Sequence, residues 1–237
     1  MRVELLRGTA DPEELACRCA RGDYSDQWVG SDRSFAQIME PVEGETIADK
    51  KETLLDHLFR SGHFGPLEHP TATFAVEGIS RSCMAQLTRH RHASFDVQSL
   101  RYTEIDGEPE ELFCFPPSLG EEEIVSREGI SEATLSAEER EGTAKELYEH
   151  SMEAYRRLID AGVPKEDARM VLPIGTMVNL TFTMNARSLM HLLDMRLKSD
   201  AQWEVRDLSD AVMDECKEWM PHTFERYERE HPNKLAP

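Results

Sequence analysis

Apolar residues recur at helical spacing in five separate stretches of this chain, Ala48–Ser61, Ser80–Thr88, Ala144–Ala161, Asn185–Leu197 and Ala201–Tyr227. Only three short runs read as strands. Thr71–Ile79 sets Phe74 and Val76 against Thr73, Ala75 and Glu77 after Pro70, Arg2–Arg7 opens the chain, and Leu112–Phe115 is stopped by Pro116 and Pro117. The chain must therefore combine several amphipathic helices with a modest sheet. No repeat or Gly/Ser linker divides its 237 residues, so a single domain over 1–237 is expected. Residues 120–141 are acidic and weakly periodic, and are read as a surface excursion.

Against this background the segment from Arg89 to Tyr102 stands out. It carries Arg89, Arg91, Arg101, His90, His92, Ser94 and Ser99 in a chain of 46 Asp plus Glu against 27 Lys plus Arg. A local knot of fixed positive charge in such a chain suits recognition of an anion in a defined geometry. The plainer alternative is a solvated basic turn. Against that alternative, Cys83, Met84 and Leu87 make an apolar stripe on the preceding helix, and Gln86, Arg89 and His90 fall at i, i+3 and i+4 on another face. One Gln, one Arg and one His projecting together suit a phosphate and a planar polar ring.

A second concentration lies on the helix from Asn185. Asn185 and Arg196 are eleven residues apart, close to three turns, while Arg187, His191 and Met195 repeat every four on a neighbouring stripe. A helix with Leu189, Leu192 and Leu193 in the core and arginines outside explains the leucines. It does not explain Asn185 and His191 beside them.

Composition excludes several classes. The net charge of −19 repels polyanions, so nucleic-acid binding, which rests on basic surfaces, is not expected. Twenty of the basic residues are Arg and seven are Lys, an acidic, Lys-poor balance resembling proteins of salt-loving microbes; stability and activity should need salt. No run of about 18 apolar residues and no signal segment appear, so a cytoplasmic protein without a membrane span is expected. The five cysteines form no Cys-x-x-Cys pair and no zinc spacing, and are read as reduced thiols.

Four motifs, taken together, resemble the flavin-dependent thymidylate synthases. They are Arg89-His90-Arg91 with Ser99, Arg101 and Tyr102; His63 to His69; Ala168 to Pro173; and Asn185-Ala186-Arg187-Ser188-Leu189 on through Arg196 to Gln202-Trp203-Glu204. In order and spacing they cover residues from about 50 to 205. The resemblance implies an α/β (α+β) subunit with an antiparallel sheet flanked by helices, assembled as a homotetramer. It implies FAD held by His63, Gly65, Arg89, His90, Arg91, Val97, Asn185, Ala186, Arg187 and His191. It places deoxyuridine monophosphate (dUMP) on Gln86, Leu87, Thr88, Arg89, Val97, Gln98, Ser99, Leu100, Arg101, Arg169 and Arg196, with no metal.

The reaction so implied is reductive methylation of dUMP to dTMP, with 5,10-methylenetetrahydrofolate giving the carbon and NADPH reducing the enzyme through FAD. Arg196 is the catalytic candidate, because a guanidinium at the uracil edge favours the charge that makes carbon 5 nucleophilic. The chain departs from the family pattern at Gly65, Val97, His191 and Asp200. Two rivals stand beside this reading. A metal hydrolase would draw on His63, Glu68, His69, His90 and His92, which lack a His-x-x-x-His spacing. A nucleotide-binding protein without turnover would follow from loss of a contact at Val97.

Overall fold

The computed structural model describes residues 1–121, 124–126, 129–131 and 134–230. In chain order these form β1 (Arg2–Gly8), α1 (Pro12–Asp23), α2 (Phe35–Met39), α3 (Ile47–Ser61), β2 (Thr71–Ser80), α4 (Arg81–Leu87), β3 (Ala93–Val97), α5 (Pro109–Leu112), β4 (Ile124–Ser126), β5 (Gly129–Ser131), α6 (Ala137–Asp160), α7 (Lys165–Ala168), β6 (Met177–Asn185), α8 (Ala186–Arg196), α9 (Trp203–Trp219) and α10 (Pro221–Glu230).

Four strands make the main sheet in the order β1-β2-β6-β3, while β4 and β5 pair by themselves. Partner numbers fall as each strand advances, so every neighbour is antiparallel. Thr73 Oγ1 lies 2.8 Å from Thr183 Oγ1, whereas Arg81 donates to the carbonyl of Thr176. On the other edge of β6 the Phe95 and Phe182 rings meet, and Gln98 N–H donates to Asn179 O at 2.8 Å. Period-two burial follows: Ala72, Phe74 and Val76 on β2 and Val178, Leu180, Phe182 and Met184 on β6 are buried. The expected antiparallel sheet with helices is what the chain forms.

The chain divides into two compact units. One comprises Met1, 77–89 and 96–180; the other comprises 2–76, 90–95 and 181–237. In the first, Leu100, Ile105, Phe113, Tyr148, Met152, Tyr155 and Ala168 form the apolar core under α6. The Phe113 and Tyr148 rings stack at 4.4 Å, and the Tyr148 hydroxyl donates to Cys114 O at 3.0 Å.

In the second unit α8 is buried along Leu189, Met190, Leu192 and Leu193. Each such side chain contributes roughly 1.5–3 kcal/mol by leaving water. The Tyr227 hydroxyl ties α10 to α8: Met190 O, at 2.8 Å, and the Asp194 carboxylate both lie within reach of its single O–H. Burial, then that carboxylate, pushes the phenol well above its usual range. Strand β1 is held to α9 by Leu5 N–H donating to Glu215 Oε2 at 2.8 Å.

Some expected elements differ. The helix expected over 201–227 is two helices, because Pro221 has no N–H to continue α9 and starts α10 instead. The strand expected at 112–115 is reduced to an isolated bridge between Phe113 and Thr176 after the short α5. Of the excursion at 120–141, residues 122, 123, 127, 128, 132 and 133 lie outside the described residues, and α6 already begins at Ala137. Eight of these elements were not expected at all: α1, α2, β3, α5, β4, β5, α7 and β6.

Candidate active site

Within the second unit, segments distant in sequence converge on α8. Asn185 caps it: its side chain accepts from Ser188 N–H at 2.8 Å, and Ala186 is buried with its N–H on Pro70 O at 2.9 Å. The carboxamide oxygen is therefore turned to the first turn of the helix backbone. Arg187 lies over the Phe64 ring, its guanidinium carbon 4.8 Å from the centroid. Phe64 belongs to the turn that leads into Gly65. Beside it the Tyr24 hydroxyl lies 2.5 Å from His63 Nδ1, and Asp23 Oδ2 lies 3.6 Å from His63 Nε2. A Cβ at Gly65 would meet His63 Nε2 at 3.5 Å, ordinary contact, so packing does not demand glycine there.

At the far end of α8, Arg196 donates its Nε–H to His90 Nε2 across 3.0 Å. His90 is buried, only 8% exposed, and its ring meets that of exposed His191 edge-on at 5.9 Å. An imidazole nitrogen that accepts must be unprotonated, so in this arrangement the ring proton of His90 sits on Nδ1. Arg91 is exposed beside it.

The first unit holds the remaining candidates. Helix α4 ends at Leu87, so Arg89 lies past its last turn; the expected shared helical face reaches Gln86 and goes no further. Leu87 and Leu100 are core residues, Thr88 donates its hydroxyl to Met84 O, and Val97 ends β3 half-buried. Gln98 Oε1 accepts from Asn179 N–H at 3.1 Å. Ser99 begins a turn, its carbonyl accepting from Tyr102 and Thr103 N–H. Arg101 points its Nε and Nη2 at Glu166 Oε2, 2.7 Å from each, and Arg169 donates Nε–H to Glu166 O at 3.1 Å.

The thiols behave as filler. Cys17, Cys83 and Cys216 are fully buried; burial pushes Cys17 up to about 12 and Cys216 higher still, so neither is a thiolate at neutral pH. Among the described residues no group of His, Cys, Asp or Glu is arranged to hold a metal ion, and no helix is long and apolar enough to cross a membrane.

Residues 4–222 match the family model described as thymidylate synthase complementing protein. A flavin-dependent thymidylate synthase of Haloarcula marismortui is 51% identical over 100% of both chains, and one of Halobacterium salinarum is 49% identical over 100% of both. This chain belongs to the flavin-dependent thymidylate synthase family. Among solved structures, a UMP/dUMP methylase from Streptomyces cacaoi bound with 5-Br dUMP is similar at a TM-score of 0.79, with 26% identity over 99% of this chain and 97% of that one. The two haloarchaeal relatives accord with the acidic, Lys-poor composition of this flavin-dependent thymidylate synthase.

Sequence reasoning missed several residues that shape these groups. Phe64 lies within the stretch His63 to His69, but its contact with Arg187 exists only in three dimensions. Tyr24 lies in a stretch without a strong period. Arg81 precedes the basic knot and belongs to none of the four motifs.

Proposed function

We propose that this chain is an FAD-dependent enzyme that methylates dUMP to dTMP, taking the carbon from 5,10-methylenetetrahydrofolate and the reducing equivalents from NADPH. The observation that carries the reading is the Arg196–His90 hydrogen bond. It joins a residue of the Arg-His-Arg motif to the last residue of α8, in a chain that matches the family over residues 4–222.

The donor set suits a flavin. His63, His90 and His191 offer ring nitrogens and edges, and the Arg187 guanidinium over the Phe64 ring offers a flat face for a planar ring. Arg91 and Arg187 supply fixed positive charge for a diphosphate. Residues His63, Gly65, Arg89, His90, Arg91, Val97, Asn185, Ala186, Arg187 and His191 are assigned to FAD, which when bound supplies the hydride chemistry that no side chain has.

The nucleotide is assigned to Gln86, Leu87, Thr88, Arg89, Val97, Gln98, Ser99, Leu100, Arg101, Arg169 and Arg196. Carbon 5 of uracil is a weak nucleophile until negative charge is drawn onto the ring oxygens. The Arg196 guanidinium, oriented by His90, holds that charge as it develops. Ser99 serves as a binding residue: its carbonyl is engaged in a turn, its hydroxyl oxygen lies 3.4 Å from Arg101 N, and among the described residues no base lies in hydrogen-bond contact with it.

The whole chain acts as one catalytic domain in the cytoplasm, as a homotetramer. Light scattering in high salt should then give four times the 27.1 kDa subunit mass, and a monomer that retains FAD would rule the tetramer out. For the activity, dUMP, 5,10-methylenetetrahydrofolate, NADPH and FAD together should yield dTMP. Bound FAD and dUMP without dTMP would instead indicate a nucleotide-binding protein.

A further inference from the structure

Helices α1 and α3 end beside one another, and the residues that close them meet side chain to side chain. His63 has its backbone pinned: Gly62, at φ 68°, turns the chain out of α3, and His63 N–H donates to Leu58 O at 2.9 Å. Its ring is held from α1. The Tyr24 hydroxyl lies 2.5 Å from Nδ1, the two rings meet edge-on at 5.1 Å, and Asp23 Oδ2 stands 3.6 Å from Nε2. Tyr24 is 62% exposed, so its hydroxyl does not serve the core.

These contacts choose where the ring carries its proton. In the neutral ring, a proton on Nδ1 would leave the Nε2 lone pair facing a carboxylate, so Nε2 carries the hydrogen and Nδ1 accepts from the phenol. At 3.6 Å, Asp23 is too far for a full hydrogen bond, and it orients the Nε2–H without consuming it. The neighbour on that side is Gly65, where even an added Cβ would stand 3.5 Å off, and Phe64 between them lies against Arg187 of α8. An oriented donor is left open beside the helix that carries Asn185 and His191.

We propose that Tyr24 is a positioning residue for the flavin: with Asp23 it presents His63 Nε2–H as a fixed donor to an acceptor atom of bound FAD. The proposal rests on the reading above that His63 contacts FAD, and it adds two residues that lie outside all four motifs. Fixing the ring beforehand spares the side-chain entropy that ordering it on binding would cost.

FAD affinity, read by flavin fluorescence on cofactor-stripped protein, tests this in wild type, Tyr24→Phe, His63→Ala and the double variant. Expected is a Kd raised about three- to tenfold in Tyr24→Phe and at least as much in His63→Ala, with no further rise when Tyr24→Phe is added to His63→Ala. NMR of isotope-labelled histidine at roughly pH 8 should show the His63 ring with hydrogen on Nε2 and an Nδ1 that accepts a hydrogen bond. In Tyr24→Phe that Nδ1 should accept none, a signature that a merely structural role would not give. A Tyr24→Phe Kd within twofold of wild type, an equal loss in the His63→Ala background, or an unchanged Nδ1 resonance overturns the role of Tyr24 and leaves the flavin reading standing. A His63→Ala protein that binds FAD as tightly as wild type overturns both the assignment of His63 and the proposal built on it.

Discussion

Arg196 Nε–H donates to His90 Nε2 across 3.0 Å, so a buried imidazole fixes the plane of a guanidinium at the end of α8. A charge-bearing group with a fixed orientation need not reorganise when charge develops on a substrate ring. Arg196→Ala should therefore lower dTMP formation at saturating dUMP by roughly a hundred- to a thousandfold. Flavin reduction by NADPH should fall far less. Lysine should restore little, since a point charge lacks the planar fork. Measuring NADPH oxidation and dTMP separately decides it: dTMP formation within about threefold of wild type in either variant would remove Arg196 from the chemistry.

The same histidine serves a second purpose if FAD lies against it. His90→Ala with Arg91→Ala should give folded but pale protein, with FAD bound about ten- to a hundredfold more weakly. Absorbance at micromolar FAD measures it, and full flavin occupancy in the double variant would count against the assignment.

Arg101 is held by Glu166 through two donors at 2.7 Å, a pair about half exposed. If Arg101 must leave that carboxylate to hold phosphate, Glu166→Gln should tighten dUMP binding by a few fold, since an exposed pair of this kind contributes up to about 1 kcal/mol. Weaker dUMP binding in this variant would mean that Glu166 orients Arg101 instead of competing for it.

Much of this arrangement can be read in the sequence, and the misses have physical causes. The stripes of α3, α8 and α9 carry large apolar residues, so their period is plain. Helix α1 buries Ala16, Cys17 and Ala20, whose small side chains give a weak stripe. Strand β3 alternates, Ala93, Phe95 and Val97 against exposed Ser94 and Asp96, but it is only five residues long and lies inside the basic knot. Strand β6 does alternate, Val178, Leu180, Phe182 and Met184 against Asn179, Thr181 and Thr183, and was a missed period-two signal. The arginines of the motifs were legible because charge is rare there. Tyr24 was not, because its partner His63 is distant in sequence.

Acid stability should depend on Asp56. Partial burial opposes its charge, but hydrogen bonds from Arg226 and His222 outweigh that and leave its carboxyl below the usual range. A depressed folded pKa stabilises above the unfolded value, near 4, and the contribution disappears as pH falls through the lower folded value. Asp56→Asn should thus lower Tm at neutral pH by several degrees and flatten the loss of stability below about pH 4. Thermal scans from pH 7 to 3 measure this. Parallel curves for both proteins would show that the carboxylate does not contribute.

The fate of a labelled methylene carbon tests the central claim most directly. With dUMP, FAD and 5,10-methylenetetrahydrofolate labelled at the methylene, label should enter dTMP only when NADPH is present. The folate product should be tetrahydrofolate, with one NADPH consumed per dTMP. Label transfer without NADPH and with dihydrofolate as product, or NADPH oxidation with no labelled dTMP, would contradict a flavin-dependent methylation of dUMP by this chain.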